Sequence, residues 1–337
     1  DLLASEQNRR TVAQTLIADV VRTWLQIREL QLQVALTERT IASFESSQTT
    51  VQDRYRRGLV SALDLHLSGQ NLSAARAQLP VFEEQLVATR RRLEILVGRY
   101  PAGTIVGSDL ELVDGRLSDE IMPEPLAPVP AGLPAELLDR RPDLLAAEAR
   151  LAGNVARIGQ AKAALYPRIS LTASGGTKSR EFEDIFTGGT SAWSLLGNLV
   201  MPLINRGATQ AQIKAAEARA GAAASAYQLT VLQAFSEVEN ALDREVFQSR
   251  QETDLTASAS QARLAVELAQ ERYRRGLDSL LVTLESQRRL FNAESRLLTT
   301  QRVRRTARVD LILALGGPWE TTSATASADD IQQGDRP

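Results

Sequence analysis

The chain carries one eight-residue sequence twice, as Arg54-Tyr55-Arg56-Arg57-Gly58-Leu59-Val60-Ser61 and as Arg272-Tyr273-Arg274-Arg275-Gly276-Leu277-Asp278-Ser279. The offset, 276 − 58 = 218 residues, holds without a gap outward to Val20/Val238, Leu72/Leu290, Leu79/Leu297, Leu93/Leu311 and Gly98/Gly316. Short solenoid units recur every ~20 to 50 residues. A period this long means that a whole helix-turn-helix unit is duplicated, each copy an extended helical hairpin followed by other structure.

Residues 5–57 contain neither proline nor glycine, and Leu16, Val20, Trp24, Ile27 and Leu30 recur at helical spacing. They predict one continuous helix of about 80 Å at the ordinary rise per residue. Gly58 supplies the left-handed conformation that closes it, and Ser61 is placed to cap the next helix. That helix carries Leu65, Leu72, Leu79, Leu86 and Leu93 in one seam and Ser68, Ala75, Phe82, Thr89 and Leu96 in its companion. A seven-residue period implies left-handed coiled-coil packing. Pro80, lacking an N–H, is expected to kink or restart the helix. Residues 208–275 predict a helix of roughly 100 Å, closed by Gly276, with a returning helix over 279–315 that ends at Gly316-Gly317-Pro318.

These patterns divide the chain into a first helical-hairpin repeat (1–100, tip at 58–61), a Pro/Gly-rich connector (101–133) and a helix (134–165) entered through Pro142 and Asp143. A β-hairpin (166–203), the second helical-hairpin repeat (204–319, tip at 276–279) and a small, polar tail expected to be disordered (320–337) complete it. Within 166–203 the period changes to two. Ile169, Leu171 and Ala173 alternate with Ser170, Thr172 and Ser174, and Trp193, Leu195 and Leu199 alternate with Ser194 and Asn198. Two strands with one apolar and one polar face follow. One reading packs this small sheet on the helices. A lone hairpin is only marginally stable, however, so it needs partners from another copy of the repeat or of the chain.

Composition narrows the function classes. The chain has 43% hydrophobic but only 4% aromatic residues, the profile of long alanine- and leucine-rich helices. A net charge of −2 provides no basic field for nucleic acid. With no cysteine and a single histidine, His66, thiol chemistry, disulfides and zinc sites are excluded. No nucleophile–base cluster or phosphate loop stands out, so neither catalysis nor a cofactor is expected. No apolar run approaches the ~18 to 20 residues of a membrane-spanning helix, a test to which β-barrel strands are invisible.

Taken together, Leu137-Leu138-Asp139-Arg140-Arg141-Pro142-Asp143, Tyr166-Pro167-Arg168-Ile169-Ser170-Leu171, Trp193-Ser194-Leu195 leading to Pro202-Leu203, the two Gly-Leu-x-Ser tips, and Ala314-Leu315-Gly316-Gly317-Pro318-Trp319 form an ordered set. In order and spacing this set resembles the outer membrane factors, the TolC/OprM-like trimeric channel-tunnels of tripartite efflux and type I secretion. The nearest likeness is to NodT-type outer membrane lipoproteins serving RND pumps. The resemblance spans 1–319. It implies a mainly α fold with a β-hairpin, in which long coiled-coil hairpins form an α-barrel tunnel across the periplasm and the strands join a transmembrane β-barrel in the outer membrane, assembled as a homotrimer. A full family member carries a further helix and hairpin before the point matching Asp1. The chain is therefore expected to lack the N-terminal part, and three copies would supply six strands.

What the resemblance implies for residues is specific. The tips Gly58, Leu59, Ser61, Gly276, Leu277 and Ser279 would dock a periplasmic adaptor, or membrane fusion protein, that links to an inner membrane RND pump. Leu281, Glu285 and Arg288, on one helix face, would form the periplasmic gate. Ile169, Leu171, Trp193, Leu195 and Leu199 would face outer membrane lipid. Blander readings stand beside these. Gly and Ser at the tips serve as helix caps, and Glu285 with Arg288 forms a surface ion pair of little energy. Trp193 belongs to a packed core in that view, and Arg90-Arg91-Arg92 to a solvated face. Tyr55 and Tyr273 are expected to pack near the tips, with contact between protomers as a second reading, and His66 to be solvated. The function expected is passive export of small molecules. The alternatives are a soluble coiled-coil scaffold, a truncated non-functional member, or the adaptor itself.

Overall fold

Long runs of helical periodicity produce the elements that dominate the chain. The computed structural model describes residues 2–105, 140–178, 190–201, 203–204 and 207–317. Among the described residues five helices and two strands follow one another: α1 (Leu2–Arg56), α2 (Ala62–Leu96), α3 (Pro142–Ala163), β1 (Arg168–Lys178), β2 (Thr190–Val200), α4 (Ala208–Arg274) and α5 (Leu280–Ala314). Most of the connector, the motif residues Leu137-Leu138-Asp139, Pro202, Pro318-Trp319 and the tail lie outside the described residues. Two compact units result, Asp1–Asn8 with Pro142–Gln233, and Arg9–Arg141 with Ala234–Pro337.

In the larger unit α1 lies against α2. Ile27 and Leu30 pack with Leu86, Leu93 and Ile105, with Val20, Val34, Phe82 and Val97 around them. All ten seam positions of α2 are buried or half-buried. On α1, Trp24, Ile27 and Leu30 are buried, whereas Leu16 is exposed. The second hairpin repeats the arrangement, with Val238 and Ala241 of α4 against Leu311 and Ala314 of α5 and Leu315 just beyond its end. One ion pair records the duplication with its charges exchanged. Glu45 on α1 pairs with Arg76 on α2, and at the same offset Arg263 on α4 pairs with Glu294 on α5.

Pro80 does not restart α2, which runs through it. The ring removes one hydrogen bond, to the carbonyl of Arg76, but Arg76 and Pro80 are both exposed. Water can solvate that carbonyl, and the helix continues past it.

The two hairpins meet through α1 and α5. Gln33 donates to the Ser295 carbonyl at 3.0 Å, Thr299 donates to Glu29 at 2.6 Å, and Arg22 reaches Asp310 at 2.8 Å. Nearer the tips, Gln287 of α5 inserts its amide between the Ser43 and Ser47 hydroxyls, at 2.8 and 3.1 Å. Arg141, from the Arg-Arg-Pro-Asp motif, is buried and caps the end of α5 by donating to the Ala314 carbonyl at 2.9 Å, while pairing with Glu237 of α4 at 2.7 Å.

In the smaller unit α3 begins at Pro142 with Asp143 in its first turn, as a fixed φ and the helix dipole favour. β1 and β2 pair antiparallel with Ile169 opposite Leu199, Ala173 opposite Leu195, and Gly175 opposite Trp193. Partners opposite each other share a face, so the five predicted apolar residues fall on one side. The reading of a sheet packed on helices is overturned, because Ile169, Leu171, Trp193, Leu195 and Leu199 are between 60% and 82% exposed.

Candidate functional site

Both tips are built by the same local chemistry. At the first, Gly58 adopts φ +71° and its N–H bonds to the Tyr55 carbonyl at 2.9 Å, while the Leu59 N–H reaches the Arg54 carbonyl at 2.9 Å. At the second, Gly276 at φ +73° and Leu277 repeat both bonds, to Tyr273 and Arg272, at 2.9 Å. This is the paired-bond helix closure that requires a left-handed residue after the last turn. It turns Leu59 and Leu277 outward, 68% and 61% exposed. Such a closure commonly carries an apolar residue after the glycine, and at both tips that leucine stays open to solvent.

The serines differ. Ser61 forms a reciprocal capping box, accepting from the Asp64 N–H at 3.2 Å while its own N–H donates to Asp64 at 3.1 Å. Ser279 starts α5 in extended conformation without a side-chain cap bond, because Val282 stands where Asp64 stands in the first copy. Capping therefore accounts for Ser61 and not for the Ser279 hydroxyl.

Behind the tips lies a core of Phe44, Val51, Leu72, Tyr273, Leu280 and Leu284. Here the two copies diverge. Tyr273 is 7% exposed, whereas its counterpart Tyr55 is 43% exposed, contrary to the expectation that both pack. Arg54 stacks on the Tyr273 ring at 4.5 Å and donates to the Tyr273 and Arg274 carbonyls at 3.1 and 2.7 Å, capping the end of α4 from the neighbouring hairpin. The equivalent Arg272 instead grips Asp278 within its own tip, at 2.6 and 3.1 Å. The hydrogen bond to Arg272 keeps the Asp278 carboxyl below its ordinary range. Val60 occupies the matching place in the first tip, so Arg54 has no such partner there.

The candidate gate residues share one exposed side of α5. Leu281 is exposed, and Glu285 is bridged by Arg289 at 2.9 Å and Arg288 at 2.6 Å. The Arg289 hydrogen bond, with the charges of both arginines, lowers the Glu285 pKa. Sequence reasoning missed Arg289, which sits four residues on, the ordinary spacing for a helical ion pair. Leu281, Glu285 and Arg289 also line a groove of about 580 Å³ together with Gln261, Ala262 and Ala265 of α4.

On the hairpin, the face opposite the apolar one carries Ser170, Asn198, Ser174 and Ser194, the last two hydroxyls 2.8 Å apart. It is not wholly polar, since Leu196 and Val200 also lie there. His66 is exposed, as are Arg91 and Arg92. Among the described residues no helix is long and apolar enough to cross a membrane, and no cluster of His, Asp or Glu could hold a metal ion.

Residues 1–99 and 133–317 match the outer membrane efflux protein family. The chain is 37% identical over 318 residues to the outer membrane protein OprJ of Pseudomonas aeruginosa, an alignment covering 94% of this chain and 64% of OprJ. It is 33% identical over 321 residues to the solvent efflux pump outer membrane protein SrpC of Pseudomonas putida, covering 95% of this chain and 66% of SrpC. The chain thus spans just under two thirds of the length of these relatives. Among solved structures, a membrane protein from Pseudomonas aeruginosa superposes with a TM-score of 0.83 at 36% identity, covering 94% of this chain and 69% of that one. The outer-membrane channel OprN superposes with a TM-score of 0.80 at 28% identity, covering 94% and 69%.

Proposed function

The chain belongs to the outer membrane efflux protein family, and from that membership we propose that it is a subunit of a homotrimeric channel-tunnel through which small molecules leave the cell passively. Its strands lie in the outer membrane and its long helices in the periplasm. Export is powered elsewhere, by an inner membrane RND pump whose periplasmic adaptor docks on the tips at Gly58, Leu59, Ser61, Gly276, Leu277 and Ser279. The exposed pair Leu59 and Leu277 offers that adaptor two equivalent apolar contacts, and the unengaged Ser279 hydroxyl a polar one. Leu281, Glu285 and Arg288 form the periplasmic gate, where a ring of leucines excludes water and rings of charge bias ion passage. No bond is made or broken.

One observation carries this reading: five large apolar side chains lie bare on one face of a hairpin whose other face is largely hydroxyl and amide. Each such side chain gains ~1.5–3 kcal/mol on leaving water, so the face favours lipid by roughly 10 kcal/mol. A water-soluble coiled-coil scaffold has no use for it. Fractionation of cells expressing the chain, followed by the detergent-corrected mass of the extracted protein, tests the proposal. A trimer in the outer membrane fraction is the expected result. A chain that remains soluble would remove the channel reading and restore the scaffold.

A further inference from the structure

A cleft of about 1170 Å³ opens between α3, the β-hairpin and the start of α4. Arg157 and Gln160 of α3, Arg168 of β1, and Thr209, Gln212 and Arg219 of α4 line it. Three guanidinium groups thus share one cavity, and among the described residues no carboxylate does.

The charge is segregated in the sequence as well. The whole chain is balanced, with 39 basic and 41 acidic residues, yet six basic residues and no acidic one stand between Glu148 and Glu181. Between Asp184 and Glu217 stand two basic residues and again no acidic one. A solvated helix face ordinarily interleaves both signs, as Glu285, Arg288 and Arg289 do on α5. The rest of the cleft wall is largely apolar: Ala161, Ala164, Pro167, Val200 and Ala216, with the Tyr166 ring 71% exposed.

Strand register fixes which side of the hairpin bears the cleft. Arg168 and Ser170 alternate with Ile169 and Leu171, and Val200 and Asn198, their partners on β2, share their face. The cleft therefore lies on the side away from the bare apolar residues.

We propose that this cleft binds amphiphilic organic anions, of which an aromatic carboxylate is the simplest, as cargo in transit. In the channel reading, on which this proposal rests, the apolar strand face meets lipid, so the cleft opens to the water-filled side. A guanidinium offers a carboxylate two parallel N–H donors, and a cavity lined by one sign of charge concentrates counter-ions within it. The alanines, Pro167 and Tyr166 supply what an inorganic anion does not need, a surface for an apolar body, in a volume ample for a drug-sized molecule. A phospholipid fits less well, because its headgroup would lie beside Ile169 and Leu171, on the other face. The three arginines are exposed, so each contact is screened and weak, as onward release requires.

Equilibrium dialysis of benzoate against the detergent-extracted full chain, with benzylammonium as the cation of similar shape, tests the site. Three screened attractions for one ion and three repulsions for the other should separate their affinities by about tenfold. The preference should fade in ~1 M salt, where the screening length falls to about 3 Å. Arg168→Gln and Arg219→Gln should each weaken benzoate binding about threefold, while Arg92→Gln, at an exposed arginine of the larger unit, should leave it unchanged. Arg168→Glu with Arg219→Glu should reverse the preference toward benzylammonium, which loss of the fold would not produce. Equal binding of the two ions, or benzoate binding indifferent to Arg168 and Arg219, would overturn the site while leaving the channel reading intact. Displacement of benzoate by phosphatidylglycerol mixed into the micelles would also overturn it, assigning the arginines to a lipid headgroup. A chain that stays soluble on fractionation would remove the channel reading, and the cargo role with it.

Discussion

Replacing Arg54 with alanine removes a side chain that ties the first tip to the second by hydrogen bonds. Its guanidinium donates two charge-assisted hydrogen bonds, at 3.1 and 2.7 Å, to carbonyls at the end of α4, and covers the Tyr273 ring at 4.5 Å. A bond of this kind contributes ~1.5–3 kcal/mol when shielded, and cation–π contact adds ~0.5–1 kcal/mol at a site open to water. Arg54 is half-buried and the Arg274 bond is exposed, which argues for the low end, about 2 kcal/mol in all. The Tyr273 carbonyl that accepts from Arg54 also closes the tip by accepting from the Gly276 N–H, so hydrogen exchange of the Gly276 amide reads the loss locally. About 2 kcal/mol corresponds to exchange roughly thirty-fold faster. Arg54→Lys keeps the charge but not the planar fork, and should recover only a minor part. Arg272→Ala, which breaks a solvent-exposed pair inside one tip, should barely change the separate chain. Exchange unchanged in Arg54→Ala, or fully restored in Arg54→Lys, would refute the claim that a forked cap from the neighbouring hairpin holds this tip.

Tyr273→Phe should be neutral or stabilising by up to ~1 kcal/mol in chemical denaturation, because the buried Tyr273 hydroxyl has no hydrogen-bond partner and its removal relieves a desolvated group. Pro80→Ala should stabilise by ~2 kcal/mol: a helix-interior proline costs ~3 kcal/mol relative to alanine, less the entropy that proline removes from the unfolded chain. Glu94 is buried and accepts from the Gly103, Thr104 and Ile105 N–H groups at 2.6, 2.8 and 3.0 Å. Burial alone would raise its pKa, but those donors outweigh burial and lower it. Its stabilising contribution is therefore fully present above an unfolded carboxylate pKa of about 4.3 and is lost as pH falls through the lowered folded value. The amide shifts of residues 103–105 should move in that acid range and stay flat in Glu94→Gln.

Whatever depends on local spacing was readable in the sequence. Gly58 and Gly276 sit where a left-handed residue ends a helix, the heptad leucines of α2 lie in its buried seam, and the alternation at 169–173 and 193–199 places its apolar residues on one strand face. Each follows from a period or a backbone requirement within a few residues. The restart expected at Pro80 fails because the local rule counts the lost hydrogen bond and not the exposure of the freed carbonyl.

What spacing cannot supply is the partner of a repeated residue. Arg54 and Arg272 are the same side chain in the same eight-residue context, yet one caps a helix more than two hundred positions away and the other closes on its own turn. Two differences decide this. Val60 against Asp278 sets whether an acceptor lies within the tip, and position in the chain sets which hairpin stands beside each arginine. Among the described residues the first hairpin has the second as its neighbour through α1 and the corresponding face of α4 has no such neighbour, so the duplicated surface is engaged once. An exact repeat would make every hairpin joint alike.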